Sequence, residues 1–140
     1  MENQNVGWAT NAFTNHVERG HDAEHVLNVI VQAWEAVGQA MRPVIGKGGV
    51  DALFHRSIEA TAVLYPWIKT ALCNNHPVMK LETLRSVLSE QEPAQFAAAS
   101  DALLLQFHNL LANLIGLSLT ERLLQPVLDP LLESLATKDI

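Results

Sequence analysis

The sequence has one cysteine and only nine basic residues, and these two shortages exclude several classes of protein. A single cysteine cannot form a disulfide within the chain, so a disulfide-stapled secreted domain is excluded. Fifteen acidic residues against nine basic ones give a formal net charge of −6, and no basic run is present. Because nucleic-acid binding needs a clustered basic face, we expect no nucleic-acid partner. The first residues lack a basic stretch followed by an apolar run, and we therefore expect a cytoplasmic protein.

Strand signals, internal repeats and linkers are also missing from the sequence. Apolar residues make up 49% of the 140 residues, which is enough to bury a core. We therefore predict one all-α domain over residues 1–140, a helical bundle of five to seven helices with a less regular segment at 1–20. A globin-like arrangement is one form that this size and composition permit.

Polar residues between 23 and 45 recur at helical spacing and form one narrow stripe. The stripe consists of His25, Asn28, Gln32, Glu35, Gln39 and Arg42. Apolar residues fill the rest of the segment, which predicts a helix with neighbours on several sides. We expect Pro43 and Gly46 to end this helix and GKGG (46–49) to form a loop before a second helix.

Further helices are predicted downstream. At Pro66 two outcomes are open: the second helix either kinks there, or a short helix begins with Pro66 in its first turn and ends near Cys73. Another helix covers 80–89, and the next begins at Pro93. Near the end of the sequence, two prolines and an apolar series predict a short terminal helix, with Asp129 as its N-cap and Pro130 in its first position.

Residues 102–120 contain no formally charged side chain. The segment is long enough to cross a bilayer, but its six polar side chains favour a core helix of a soluble bundle. A polar stripe is expected along it, made of Gln106, Asn109, Asn113 and Thr120. At Gly116 two outcomes are open: the helix either breaks and restarts at the capping-box spacing SLTE (118–121), or runs straight through.

The stretch HVERGHDAEH (16–25) resembles a metal site, because His21 and His25 are one helical turn apart. The polar stripe, however, places His25 on the exposed face, and no closed set of ligands with His16 is visible. We therefore expect no metal.

Other chemical-looking residues have ordinary explanations. GKGG lacks the Walker spacing and is typical of a turn, and Cys73 with His76 lacks a group that would orient a base. His55 with Arg56 is the nearest match to a phosphotransfer histidine, but it has acidic neighbours on both sides. We therefore expect neither a cofactor nor a catalytic site, and the chain is not predicted to be an enzyme.

Two functions fit this sequence. The first is a small regulatory or protein-interaction module in signal transduction, acting through apolar helix faces drawn from the first long helix, the leucine-rich C-terminal region or both. It would form a homodimer and bind another protein. The alternative is a globin-like sensor that holds a small apolar ligand. Its pocket would be lined by Trp34, Phe54, Trp67, Phe107 and His108.

Overall fold

The computed structural model describes residues 13, 14, 17, 20, 22–72 and 80–131, and the backbone of 132–137. The described residues form helices and no strand, which confirms the all-α prediction. The elements are α1 (Ala23–Thr61), a 3-10 helix (Pro66–Ala71), α2 (Leu81–Ser89), α3 (Pro93–Ile115) and α4 (Leu117–Thr137).

Helix α1 bends at Gly46, which has φ 81° and ψ 163°. The bend divides α1 into a first arm (23–45) and a second arm (47–61). The predicted end of the first helix at Gly46 is confirmed, but the predicted loop over 46–49 is wrong. One glycine with positive φ turns the chain, and helix resumes at Lys47. Pro43 lies inside the first arm, where its ring is exposed to solvent.

The first arm buries its apolar side chains between its neighbours, as its narrow polar stripe predicts. Helix α1 packs mainly against α3 and α4, while α2 contacts α1 and the 3-10 helix. Trp34 lies at the centre, with its ring edge-to-face with Phe54 of the second arm at 5.6 Å and with Phe107 of α3 at 5.3 Å. Each such pair adds about 1 kcal/mol beyond the burial of its surface. One tryptophan thus joins three helical segments.

A second bend, at Gly116, separates α3 from α4. Gly116 has φ 96°, so residues 102–126 form two helices and not one. Its carbonyl accepts hydrogen bonds from the backbone N–H and the hydroxyl of Thr120, at 3.1 and 2.8 Å. The predicted cap at Ser118 is wrong, because α4 already begins at Leu117. Thr120 is buried and does not continue the exposed polar stripe.

Helix α4 continues through both of its prolines, so the separate terminal helix capped by Asp129 is also wrong. Pro126 and Pro130 are exposed, and solvent can reach the carbonyls that their missing N–H groups leave free. Leu124 and Leu128 face the core on the opposite side, both fully buried. Packing of this apolar face holds the helix through positions at which local preference predicts an end.

Residues 13 and 14 are hydrogen-bonded to the middle of α3. The carboxylate of Asp101 accepts hydrogen bonds from the backbone N–H of Phe13 at 2.9 Å and of Thr14 at 3.0 Å, and from the Thr14 hydroxyl at 2.7 Å. Phe13 is 1% exposed and belongs to the core. Burial raises the pKa of Asp101, and these three hydrogen bonds oppose that rise.

Candidate functional site

Three of the five residues predicted to line an apolar pocket meet in the core. The Trp34 ring contacts the rings of Phe54 and Phe107, so the rings themselves fill the space beside Trp34. Trp67 is only partly buried and pairs with Tyr65, at a centroid distance of 6.2 Å. A ligand at these residues stays a prediction.

His108, the fifth of these residues, is a buried side chain of α3, 1% exposed. Its Nδ1 lies 3.5 Å from the side-chain oxygen of Asn109. Burial lowers the pKa of His108, while the contact with Asn109 and the charge of Glu121 on α4 act in the opposite direction. The lowered pKa keeps the ring neutral at pH 7.

Within the histidine-rich stretch, the burial of His25 differs from the prediction. The side chain is half-buried, and its Nε2 is buried without a hydrogen-bond partner, so the expected exposed position is wrong. The exposed part of the stripe begins only at Gln32. Within 22–72 and 80–131, no group of three histidine, cysteine or acidic side chains is placed to hold a metal. His16 and His21 lie outside the described residues.

At the Gly46 bend, acidic and basic side chains lie close together. Lys47 forms an ion pair with Asp51 at 3.0 Å, one helical turn further along the second arm. A cavity of about 330 Å³ lies beside this pair, and its lining includes Glu35 and Arg42. Two acids and two bases give the cavity no preference for phosphate, so GKGG does not form a phosphate site here.

The two remaining candidates, His55 with Arg56 and Cys73 with His76, do not form a described site. His55 lies 3.8 Å from Glu59 on the second arm, and Arg56 beside it is exposed. Cys73 and His76 lie outside the described residues.

The exposed apolar side chains concentrate at the Gly116 bend. Leu114 is 60% exposed, Leu117 46% and Leu119 39%. Polar but uncharged side chains are exposed beside them. We call this area the junction surface: Asn109, Asn113, Leu114, Leu117, Ser118 and Leu119. Of the described residues, two other places expose large apolar side chains, Val44 and the adjacent pair Val63 and Leu64.

Sequence reasoning identified the uncharged segment but missed its exposed leucines. A continuous helix would have placed these leucines on faces already assigned to the core. The available signal was Gly116 itself, since a glycine with positive φ changes the direction of the helix axis and turns the leucines that flank it outward.

The junction surface connects to the buried histidine behind it. Asn109 is exposed on the junction surface and also contacts the His108 ring. Glu121, four residues after Leu117 on α4, acts electrostatically on the same ring. Asn109 thus belongs to the junction surface and to the surroundings of the His108 ring.

None of the helices within the described residues has both the length and the apolar character that crossing a membrane requires.

Comparison with known proteins found no family model, no curated protein and no solved structure that matches this chain.

Proposed function

We propose that this chain is a small interaction module that pairs with a second copy of itself through the junction surface. The observation that supports the proposal is the concentration of three exposed leucines in a segment without formal charge. The centre of a protein interface is depleted in charge and rich in apolar side chains, and polar groups surround it. The junction surface has this composition.

The net charge favours a charge-free contact between copies. Each chain has a formal charge of −6, so two copies repel each other at most orientations. Residues 102–120 offer a face that brings no acidic side chain of its own into the contact. An approach through this face has the smallest electrostatic cost.

The polar residues of the surface suit an identical partner. An asparagine amide is both donor and acceptor, so Asn109 and Asn113 can pair with the same residues across a two-fold axis. The first arm offers no comparable face, since its exposed stripe from Gln32 to Arg42 is polar and partly charged.

Sedimentation velocity over a range of concentrations tests the proposal. The wild type should sediment as a dimer, and the double variant Leu114→Lys, Leu117→Lys should dissociate at least about tenfold more readily because like charges then face each other. Val63→Lys with Leu64→Lys is the matched control, since it replaces two exposed apolar residues outside the surface.

The control should dimerise like the wild type. A wild type that is monomeric at about 100 μM would refute the proposal. Equal dimerisation of the wild type and the junction variant would also refute it, because the interface would then lie elsewhere.

A further inference from the structure

A groove opens where the beginnings of α1 and α3 meet the end of α2, away from the junction surface. Its volume is about 390 Å³, within the usual range of small-ligand sites. Apolar side chains from two helices line it: Leu27 of α1 and Pro93 and Phe96 of α3. Polar groups border these walls: Glu24, Arg85 and Ser89. We call this the Arg85 groove.

Arg85 is the unusual side chain of the groove. It is half-buried on α2 and donates one hydrogen bond to the side-chain oxygen of Asn28, at 2.5 Å. Among the described residues, no carboxylate forms an ion pair with it. A guanidinium has five N–H donors, and a partly buried cation is normally balanced by an anion. The bond to Asn28 uses one donor, and no carboxylate in the described part of the chain lies within ion-pair distance of the guanidinium.

We propose that the Arg85 groove binds a small apolar molecule with a single carboxylate. The carboxylate would accept hydrogen bonds from the remaining Arg85 donors, which match its two oxygens in geometry. The apolar part would lie against Leu27 and Phe96 and remove their exposed surface from water. The charge of Arg85 and the apolar side chains of the groove thus both favour an apolar monocarboxylate.

Glu24, the second charged residue of the groove, favours a ligand with a single negative charge. Glu24 and Arg85 are the charged side chains among the described residues that line it, so their formal charges cancel. A phosphate or dicarboxylate would bring excess negative charge close to Glu24. A monocarboxylate makes the groove no more negative than one unit, and its charge can lie at Arg85.

Isothermal titration calorimetry of the full chain tests this inference, with octanoate as the probe and octanol and octylamine as matched controls. Octanoate should bind, and both controls should bind at least about tenfold more weakly, because they lack the anion. Arg85→Gln should weaken octanoate binding by about tenfold or more, because it removes the cation. Arg122→Gln, an exposed arginine on α4, should bind octanoate like the wild type.

A second variant tests the walls without changing charge. Ser89→Phe places a ring in the groove from an exposed position and should also weaken octanoate binding. Thermal melting of each variant confirms that it is folded. The inference is wrong if octanoate does not bind the wild type, if octanol binds as well as octanoate, or if folded Arg85→Gln binds octanoate as well as the wild type does.

Discussion

Gly46 and Gly116 adopt similar backbone conformations, and yet the surfaces around them differ. Their φ angles are 81° and 96°, and their ψ angles 163° and 148°. Each joins two helical segments with one residue. Beside Gly46 lie a lysine in an ion pair, an arginine and one exposed valine, Val44, whereas leucines are exposed on both sides of Gly116. The glycine determines the bend, and the flanking side chains determine whether the surface around it is mainly charged or mainly apolar.

The largest effect is expected from a charge placed on the buried side of the Gly116 bend. Leu111 is fully buried, so Leu111→Asp should destabilise the fold by about 4 kcal/mol or more through an unpaired buried charge. Leu114→Asp, close to Gly116 on the exposed side, should change the folding of the monomer by less than about 0.5 kcal/mol. Urea unfolding followed by circular dichroism separates the two. Equal destabilisation at a protein concentration too low for dimers to form would mean that Leu114 is also a core residue.

A smaller loss of stability is expected when the glycine of either bend is replaced. Gly46→Ala and Gly116→Ala should each cost about 1–2 kcal/mol, because an L-residue is strained at positive φ. A methyl group added at either glycine would meet no atom within 4 Å apart from its chain neighbours, so crowding by distant residues does not contribute. Gly48→Ala is the control: it is helical and equally open, and should be neutral or stabilising by up to about 1 kcal/mol. Urea midpoints measure all three variants, and a loss at Gly48 equal to that at the bends would remove backbone strain as the cause.

The smallest expected effect is the pH dependence of stability that His108, near the Gly116 bend, produces. Burial holds the pKa of His108 below its usual 6.5, so the folded state binds this proton less readily than the unfolded chain. The contribution of His108 to stability is complete above pH 6.5 and is lost as pH falls through the lowered folded-state pKa. Urea midpoints at several pH values measure it. His108→Gln should flatten this part of the profile, and an unchanged slope would contradict the assignment.

Much of the fold follows from residue spacing, and the remainder depends on tertiary packing. The first helix, its end at Gly46 and the helix start at Pro93 were predictable, since period and helix-ending residues agree there. The continuity of α4 was not, because Pro126 and Pro130 locally favour a break and only the burial of Leu124 and Leu128 overrides it.

The candidate sites were less predictable than the fold. The junction surface depends on the direction that one glycine gives to α4, and no periodicity records that direction. The Arg85 groove depends on contacts between distant segments, since Arg85 and Asn28 are 57 residues apart. His25 was placed on the wrong face because its expected exposure took no account of the neighbours that cover it.

The link between Asp101 and the start of the chain has a consequence for protein synthesis. Phe13 and Asp101 are 88 residues apart, so a ribosome must produce most of the chain before these groups can meet. Contacts with such long sequence separation form late in folding, because closing the long loop costs entropy. During translation the backbone N–H groups of Phe13 and Thr14 therefore lack their Asp101 acceptor until the chain has been extended past that residue, and a chaperone that binds aromatic segments has its opportunity in that interval.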